Sequence, residues 1–356
     1  MSVPSPLEWR KSRSHESSGS AVAPSCAENW SRTTRRWAMR SSSATEAQVR
    51  RLLTAAGQAP SVHNTQPWRF DVLHGELLSL SADLDRRLPV SDPRGRSMHV
   101  SCGAALLNLR LAARTAGARP ALRLLPESED DPYLLAVVHL AKREPAGRRT
   151  RELYDLIPLR HTCREPFDER RLPSEVMAAL RTAASREGAT LIFLGRHAAA
   201  QTLEQVAIAE EELAADLDYR AELAAWTMRR ARYDGVPLAS HGPRPLTDPP
   251  PIRDYGAHDH SMAFEARPQL AVLTTPGNRP LDWLVAGQAL QRTLLTAARY
   301  GVSASFLNQP LDLRDMRRRT DPHHRRGHPQ MIIRLGYGPQ VTATPRRPVG
   351  DLRLPT

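Results

Sequence analysis

Apolar residues first recur at helical spacing from Thr45 onward: Val49, Leu52, Leu53 and Ala56 fall three and four apart, and Gly57 and Pro60 close the pattern. Two short apolar runs, 68–73 and 77–80, flank His74-Gly75 and predict a hairpin. A dense Ala/Leu pattern predicts a helix over 98–116, stopped by Gly117, and 133–140 predicts a buried strand. The charged stretch 143–151 reads as a connector. A second round follows. The pattern predicts a helix over 173–184 with Pro173 in its first turn, a strand over 190–194 and a long charged helix from 198 to about 230. Beyond it lie a Pro/Gly/His-rich loop over 233–261, a strand over 269–275, a helix over 281–300 and a strand over 330–337. Residues 1–43 are rich in Ser, Arg and Pro without periodicity and predict a disordered tail. Met39 stands just ahead of the first helical pattern and is an alternative start.

The two rounds echo each other. Gly103-Ala104-Ala105-Leu106-Leu107, leading to Leu111-Ala112-Ala113-Arg114 and Gly117, is matched by Gly287-Gln288-Ala289-Leu290, leading to Leu295-Thr296-Ala297-Ala298-Arg299 and Gly301. The interval between the bracketing glycines is the same in both. Leu52-Leu53-Thr54-Ala55-Ala56 is likewise echoed by Leu180-Arg181-Thr182-Ala183-Ala184. Any two Ala/Leu helices that end in Gly share some likeness, but two matches in the same order, each followed by a strand, favour a duplication.

Composition changes this picture little. The chain has 356 residues, a length that suggests about two domains. Aromatics supply only 5% of residues, so the core must be built from Ala, Leu and Val. The net charge of +12 raises a nucleic-acid partner, but Lys11 and Lys142 are the only lysines and the arginines are scattered, whereas a nucleic-acid footprint needs clustering. No nucleic acid is expected. Cys26, Cys102 and Cys163, an odd count without a CxxC pair, argue against a disulfide framework and a zinc site. His258, His260, His323, His324 and His328 have no Cys or carboxylate at ligand spacing, so no metal is expected either. No stretch reaches about 18 unbroken apolar residues. The expectation is a soluble, cytoplasmic protein.

Three stretches carry candidate chemistry. Ala59-Pro60-Ser61-Val62-His63-Asn64-Thr65-Gln66-Pro67-Trp68 lies between a helix and a strand, where loops carry function. Its short donors and acceptors suit the edge of a planar heterocycle; they also suit a plain turn with Trp68 as a core anchor. In Arg160-His161-Thr162-Cys163-Arg164-Glu165-Pro166-Phe167, two arginines flank a hydroxyl, a set that binds phosphate and equally occurs in solvated basic loops. Thr344-Pro345-Arg346-Arg347-Pro348 adds two more cations near the end of the chain.

Together these motifs resemble the nitroreductase family, in its Acg-type flavin-binding subfamily. Ala59-Pro60-Ser61 with Asn64-Thr65-Gln66-Pro67-Trp68 resembles the family's helix-to-strand signature, and Arg160-x-Thr162-x-Arg164 its phosphate motif. The 287–301 stretch resembles its central helix, and Gly336-Tyr337 with Pro345-Arg346-Arg347-Pro348 its C-terminal close. Two departures stand out. The phosphate motif follows the Pro-Ser-x-x-Asn motif here instead of preceding it, and neither round holds both.

The resemblance implies an α+β fold of two fused, half-related nitroreductase-like domains, 44–145 and 150–351, mated as an intramolecular pseudo-dimer. It implies one FMN, with the phosphate at Arg160, Thr162, Arg164 and Arg347, and Arg346 a further candidate. The ring would meet Ser61, Asn64 and Gln66, with Asn308 and Gln309 brought close after the central helix. The activity implied is NAD(P)H-dependent reduction of a small electron acceptor such as a nitroaromatic or quinone, with flavin N5 rather than a protein side chain carrying the chemistry. The insertion over 198–261 is long enough to act as a lid or as a helical packing arm. A lid over the ring would make the protein a flavin-sequestering or redox-buffering factor. Both a monomer and a homodimer are compatible with the resemblance.

Overall fold

The computed structural model describes residues 45–73, 76–127, 131–227, 233–313 and 327–353; the tail expected over 1–43 lies outside them. The first round opens with helix α1 (Glu46–Gly57). Thr45 starts it through a capping box, its Oγ accepting from the Gln48 amide at 3.3 Å while Gln48 Oε1 accepts from the Thr45 amide at 2.9 Å. The helix buries Val49, Leu52, Leu53, Ala55 and Ala56. Strands β1 (Trp68–Leu73) and β2 (Leu77–Ala82) form the expected hairpin, in register from Trp68 opposite Ala82 to Leu73 opposite Leu77. Helix α2 (Arg96–Thr115) follows, then β3 (Ala118–Leu124) and β4 (Leu134–Arg143). The four strands form one antiparallel sheet in the order β1-β2-β4-β3.

The second round repeats this plan. Helix α4 (Ser174–Ser185), strand β5 (Thr190–Phe193), strand β8 (Gln269–Thr275), helix α7 (Pro280–Arg299) and strands β9 (Ser303–Phe306) and β10 (His328–Gly336) correspond in order to α1, β1, β2, α2, β3 and β4. Their sheet is antiparallel in the order β5-β8-β10-β9, the same permutation as the first. The insertion occupies the place of the β1–β2 turn. It contains α5 (Arg196–Ala215), α6 (Leu217–Ala225) and the two-residue strands β6 (Arg244–Pro245) and β7 (Ser261–Met262).

Three local expectations need correcting. The stretch taken for a connector contains helix α3 (Arg148–Asp155), in which only Leu153 is buried; an Arg148–Glu152 pair at 2.8 Å supports it instead of an apolar stripe. The single helix expected from 198 is two, because Asp216 turns extended and caps α6, its carboxylate accepting from the amides of Asp218 at 2.9 Å and Tyr219 at 3.1 Å. Strand β3 was not expected from the sequence. It is an edge strand of alternating half-buried and exposed residues, with Pro120 where the register slips between Arg119 and Ala121, as an edge allows.

Residues 44–356 form one unit because α2 and α7 cross in backbone contact. A Cβ on Gly103 would lie 2.3 Å from the Leu284 carbonyl oxygen; one on Gly287 would lie 2.0 Å from that of Val100. These are the glycines that the two rounds share in sequence. The contacts are reciprocal, each glycine meeting the residue three before the other, as a two-fold relation requires. Polar pairs, one of them buried, hold the crossing in register. Gln291 Nε2 donates to Asn108 Oδ1 at 2.8 Å, and the Glu187 carboxylate accepts from Arg110 and Arg292, each at 2.5 Å. The chain end then returns to the first round: Arg353 bridges to Phe70 at the edge of β1, and Leu352 is buried in the first core.

Any side chain at the crossing must force backbones apart, a cost of roughly 2–3 kcal/mol or more. Urea unfolding of Gly287→Val should therefore show a clearly lowered midpoint. Gly350→Ala, where nothing lies within 4 Å of the added methyl, should leave it unchanged. Equal midpoints for Gly287→Val and the parent would disprove the tight crossing.

Candidate functional site

The loop after α1 is strained. His63, Asn64 and Gln66 all have positive φ, at 45°, 53° and 51°, a conformation that non-glycine residues hold only at a cost of about 1–3 kcal/mol each. Other parts of the chain clamp it there. Asn64 Nδ2 donates to the carbonyls of Gly235 at 2.9 Å and Pro345 at 3.0 Å. Gln66 Nε2 donates to the Tyr233 carbonyl at 2.8 Å, and Gln66 Oε1 accepts from the Arg347 amide at 2.9 Å. Ser61 Oγ accepts from the Gln66 amide at 2.9 Å. The insertion and the C-terminal segment thus hold the loop in place from two sides.

The arginine motif sits beside β9, where Thr162 bridges to Ala304 and the Cys163 amide donates to the Ala304 carbonyl at 2.9 Å. Its far end is fixed by a fully buried bidentate pair, Arg334 donating to both Glu265 oxygens at 2.6 Å. Glu265 also accepts from the Phe167 amide at 3.0 Å, and the Arg334 guanidinium lies 3.9 Å from the centre of the Phe167 ring.

Residues of this motif line two cavities. The first is faced by Ser61 and His63 from the strained loop, Ser97 and Ser101 from the first turns of α2, Thr162, Arg164 and Asn308. The insertion supplies a wall, Arg253 and Tyr255. Arg164 fixes that wall, donating to the Ser240 carbonyl at 2.7 Å and the Tyr255 hydroxyl at 3.2 Å. Tyr255 stands edge-on to His63, ring centres 6.1 Å apart. Arg253 is buried; burial opposes its charge, but Tyr219, Asp312 and Glu210 hold it above the ordinary arginine value. Its Nη2 meets Asp312 at 2.6 Å, and Asp312 also faces Arg96 at 3.5 Å. His63 is kept neutral, its pKa well below the ordinary value, by burial and then by Arg253 and Arg164.

The second cavity is faced by Arg160, His161, Thr344 and Arg346. Arg160 is only 5% exposed, yet its side chain has no hydrogen bond or ion pair among the described residues. Burial, then the neighbouring Arg346, pushes its pKa down to about 9. Arg346 donates only to neutral acceptors, at 3.1 Å to Asn64 Oδ1 and 2.6 Å to Thr344 Oγ, and burial brings its pKa to about 10. A buried and a half-buried guanidinium with no carboxylate beside them among the described residues form an incomplete charge set that an anion would complete.

The sequence-expected residues therefore divide. Ser61, Thr162, Arg164 and Asn308 face the first cavity, and Arg160 and Arg346 the second. Asn64 reaches the second only through Arg346. Gln66 is spent on the clamp. Arg347 touches the second cavity, but its guanidinium is turned to the Gln66 carbonyl at 3.1 Å and to Asp83 at 3.4 Å. Gln309 is fully buried and donates to Glu210 at 2.8 Å. Sequence reasoning missed His63 and His161, although both lie inside the quoted motifs. It missed Arg253 and Tyr255 because nothing in a long proline-rich loop marks which residues turn inward. The insertion is a fixed strap: Glu222 accepts from the Val90 amide at 2.9 Å and Ser91 Oγ at 2.6 Å, and Asp234 pairs with Arg86 at 2.8 Å. Among the described residues no helix is long and apolar enough to cross a membrane.

A profile described as the nitroreductase family matches residues 30–92. Two Mycobacterium tuberculosis proteins share the name "Putative NAD(P)H nitroreductase": Rv3131 is 30% identical over 317 residues, covering 85% of this chain and 90% of its own length. The other, acg, is 28% identical over 314 residues, covering 85% and 94%. Among solved structures, the FMN-dependent nitroreductase NfnB from Mycobacterium smegmatis, in complex with NADPH, is 18% identical with a TM-score of 0.36, covering 57% of this chain and 97% of that one. The chain belongs to the nitroreductase family.

Below the ordinary histidine pKa the unfolded chain binds a proton at His63 that the folded chain refuses, so His63 costs stability as pH falls through that range. Thermal melts between pH 5 and 7 should show a midpoint that drops with acid, and His63→Gln should flatten part of the drop. An identical slope in both proteins would show that the ring is not held neutral.

Proposed function

We propose that this chain is an FMN-dependent NAD(P)H oxidoreductase that seats one flavin between its halves, 44–145 and 150–351. The observation that carries the reading is the pair Arg160 and Arg346, which lacks a counter-charge among the described residues at one cavity, while the other cavity is rich in short polar groups. A phosphate fits the first feature and a flat heterocycle the second. The names of the Mycobacterium relatives and of NfnB support the same cofactor and reductant.

Arg160 and Arg346 bind the phosphate in this reading, and Thr162, which faces the other cavity, lies toward the ring. Arg164 holds a positive charge at the ring, and Ser61 and Asn308 offer polar atoms to its edge. Asn64, Gln66 and Arg347 act as positioning residues that keep the strained loop in place. Arg253 and Tyr255 exclude water from the outer side. The flavin, when bound, supplies the redox chemistry, taking hydride from NAD(P)H and reducing an electron-poor acceptor of the nitroaromatic or quinone type. Free Cys102 and Cys163 are both buried, which suits a reducing cytoplasm.

One observation favours a second reading. The insertion is tied to both rounds, by Glu222 and Asp234 to the first and by Arg253 to the second, so it stands as a fixed wall over the ring-side cavity. A wall that denies NAD(P)H access would make the protein a flavin-sequestering or redox-buffering factor.

One experiment separates these readings. Purified protein should show a flavin absorption spectrum, and Arg160→Gln should lose FMN by about tenfold or more in affinity. Anaerobic NADPH should bleach the flavin band if the chain turns over. A bound flavin that NADPH leaves oxidised supports sequestration, and protein without any flavin affinity contradicts both readings.

A further inference from the structure

The ring-side cavity carries two polar groups without a partner, and both stand where the insertion closes it. The first is His63, which lies in the cavity wall on a strained backbone at a φ of 45°. It is 6% exposed, and its Nδ1 has no hydrogen-bond partner among the described residues. The second is the Tyr255 hydroxyl. Its oxygen accepts from Arg164 Nη2 at 3.2 Å, but its own O–H meets no acceptor among the described residues. A hydroxyl that already receives a charged donor is the stronger donor of its own hydrogen, because linked hydrogen bonds polarise one another.

The Tyr255 ring is fixed in place. His241 stacks on it with ring centres 5.1 Å apart and 28° between the planes, and the Arg164 guanidinium lies 4.9 Å from its centre. His241 is itself held between the carbonyls of Ala257 at 2.9 Å and Val236 at 3.1 Å. We propose that Tyr255 recognises the electron acceptor: its hydroxyl donates a hydrogen bond to a carbonyl or nitro oxygen of that molecule, and His63 offers a second polar contact from the adjoining wall. This inference rests on the FMN reading. Ser61, Thr162, Arg164 and Asn308, which that reading gives to the flavin, come from the two halves themselves, whereas Tyr255 comes from the insertion that only the second round has. The insertion thus adds a substrate wall to a cofactor site built by the repeated parts. The arginines leave the acceptor to these two groups: Arg253 is engaged by Asp312 at 2.6 Å, and Arg164 by the Ser240 carbonyl at 2.7 Å and by Tyr255. A phenol hydroxyl and a ring kept neutral by its burial suit an uncharged oxygen rather than a carboxylate. That oxygen is also where charge gathers as a quinone or nitro group is reduced, so a donor fixed beside it is worth most there.

Binding to the oxidised, FMN-loaded full chain tests this without turnover. The protein is titrated, in the absence of NADPH, with 2-methyl-1,4-naphthoquinone and with 2-methylnaphthalene, the same carbon skeleton without the two oxygens, and the shift of the bound-flavin absorption band is read. Tyr255→Phe should weaken the quinone by about three- to tenfold and leave the hydrocarbon unchanged, which also reports an intact fold. His63→Leu should show the same pattern. FMN affinity of the flavin-free Tyr255→Phe chain should equal the parent's. A quinone loss no larger than the hydrocarbon loss would overturn the assignment, and so would weakened FMN binding in Tyr255→Phe, which would make the hydroxyl part of the cofactor site. A parent that holds flavin but binds neither compound would overturn it too, in favour of sequestration. A parent that holds no flavin would defeat the FMN reading, and this inference with it.

Discussion

The backbone contact between α2 and α7 at Gly103 and Gly287 is the constraint on which the rest of the structure depends. Helices α2 and α7 pack on their own sheets and also on each other. Each round needs the other to bury its central helix, and only glycine at the crossing lets the two approach closely enough. The residues around it then have no freedom. Asn108 meets Gln291, and Glu187 takes both Arg110 and Arg292. A seam of this kind, closed by a helix pair and a returning chain end, brings the loop after α1 and the segment before α4 to the same place.

What gathers there is charged and strained, and the two properties are connected. Three left-handed residues in the 63–66 loop hold their conformation because the insertion and the C-terminal segment hydrogen-bond to Asn64 and Gln66. The same C-terminal segment places Arg346 beside Arg160, so that closing the loop and assembling the cationic cavity are one event. Arg347 serves the first purpose and Arg346 the second. Adjacent residues on an extended segment face opposite ways, which is why one pairs with Asp83 while the other turns to the cavity.

Much of this was legible in the sequence where periodicity or glycine spacing spoke clearly. The strand 269–275 lies where the pattern placed it, the paired glycines at 103 and 287 announced equivalent helices, and the arginine motif lines both cavities. Strand β3 was missed although Leu122 and Leu124 alternate with Arg119, Ala121 and Arg123, because Pro120 breaks the run and argues against a strand, and α3 was missed because charge pairs rather than a buried stripe support it. The roles of Gln66 and Gln309 were unreadable. A glutamine next to a site and one buried beneath it look the same until the partner, Tyr233 in one case and Glu210 in the other, is placed. Arg253 and Tyr255 depend on the path of a long loop that no local rule sets.

The central claim is that two unlike halves complete a single site. Flavin content per chain, from absorbance and protein mass after saturation with FMN and removal of the excess, tests it most directly. One FMN per chain is the value that a lone arginine motif and a lone strained loop require. Two per chain would mean that each round binds independently, and none would mean that the convergence of Arg160, Arg346 and the 61–66 loop serves some other molecule.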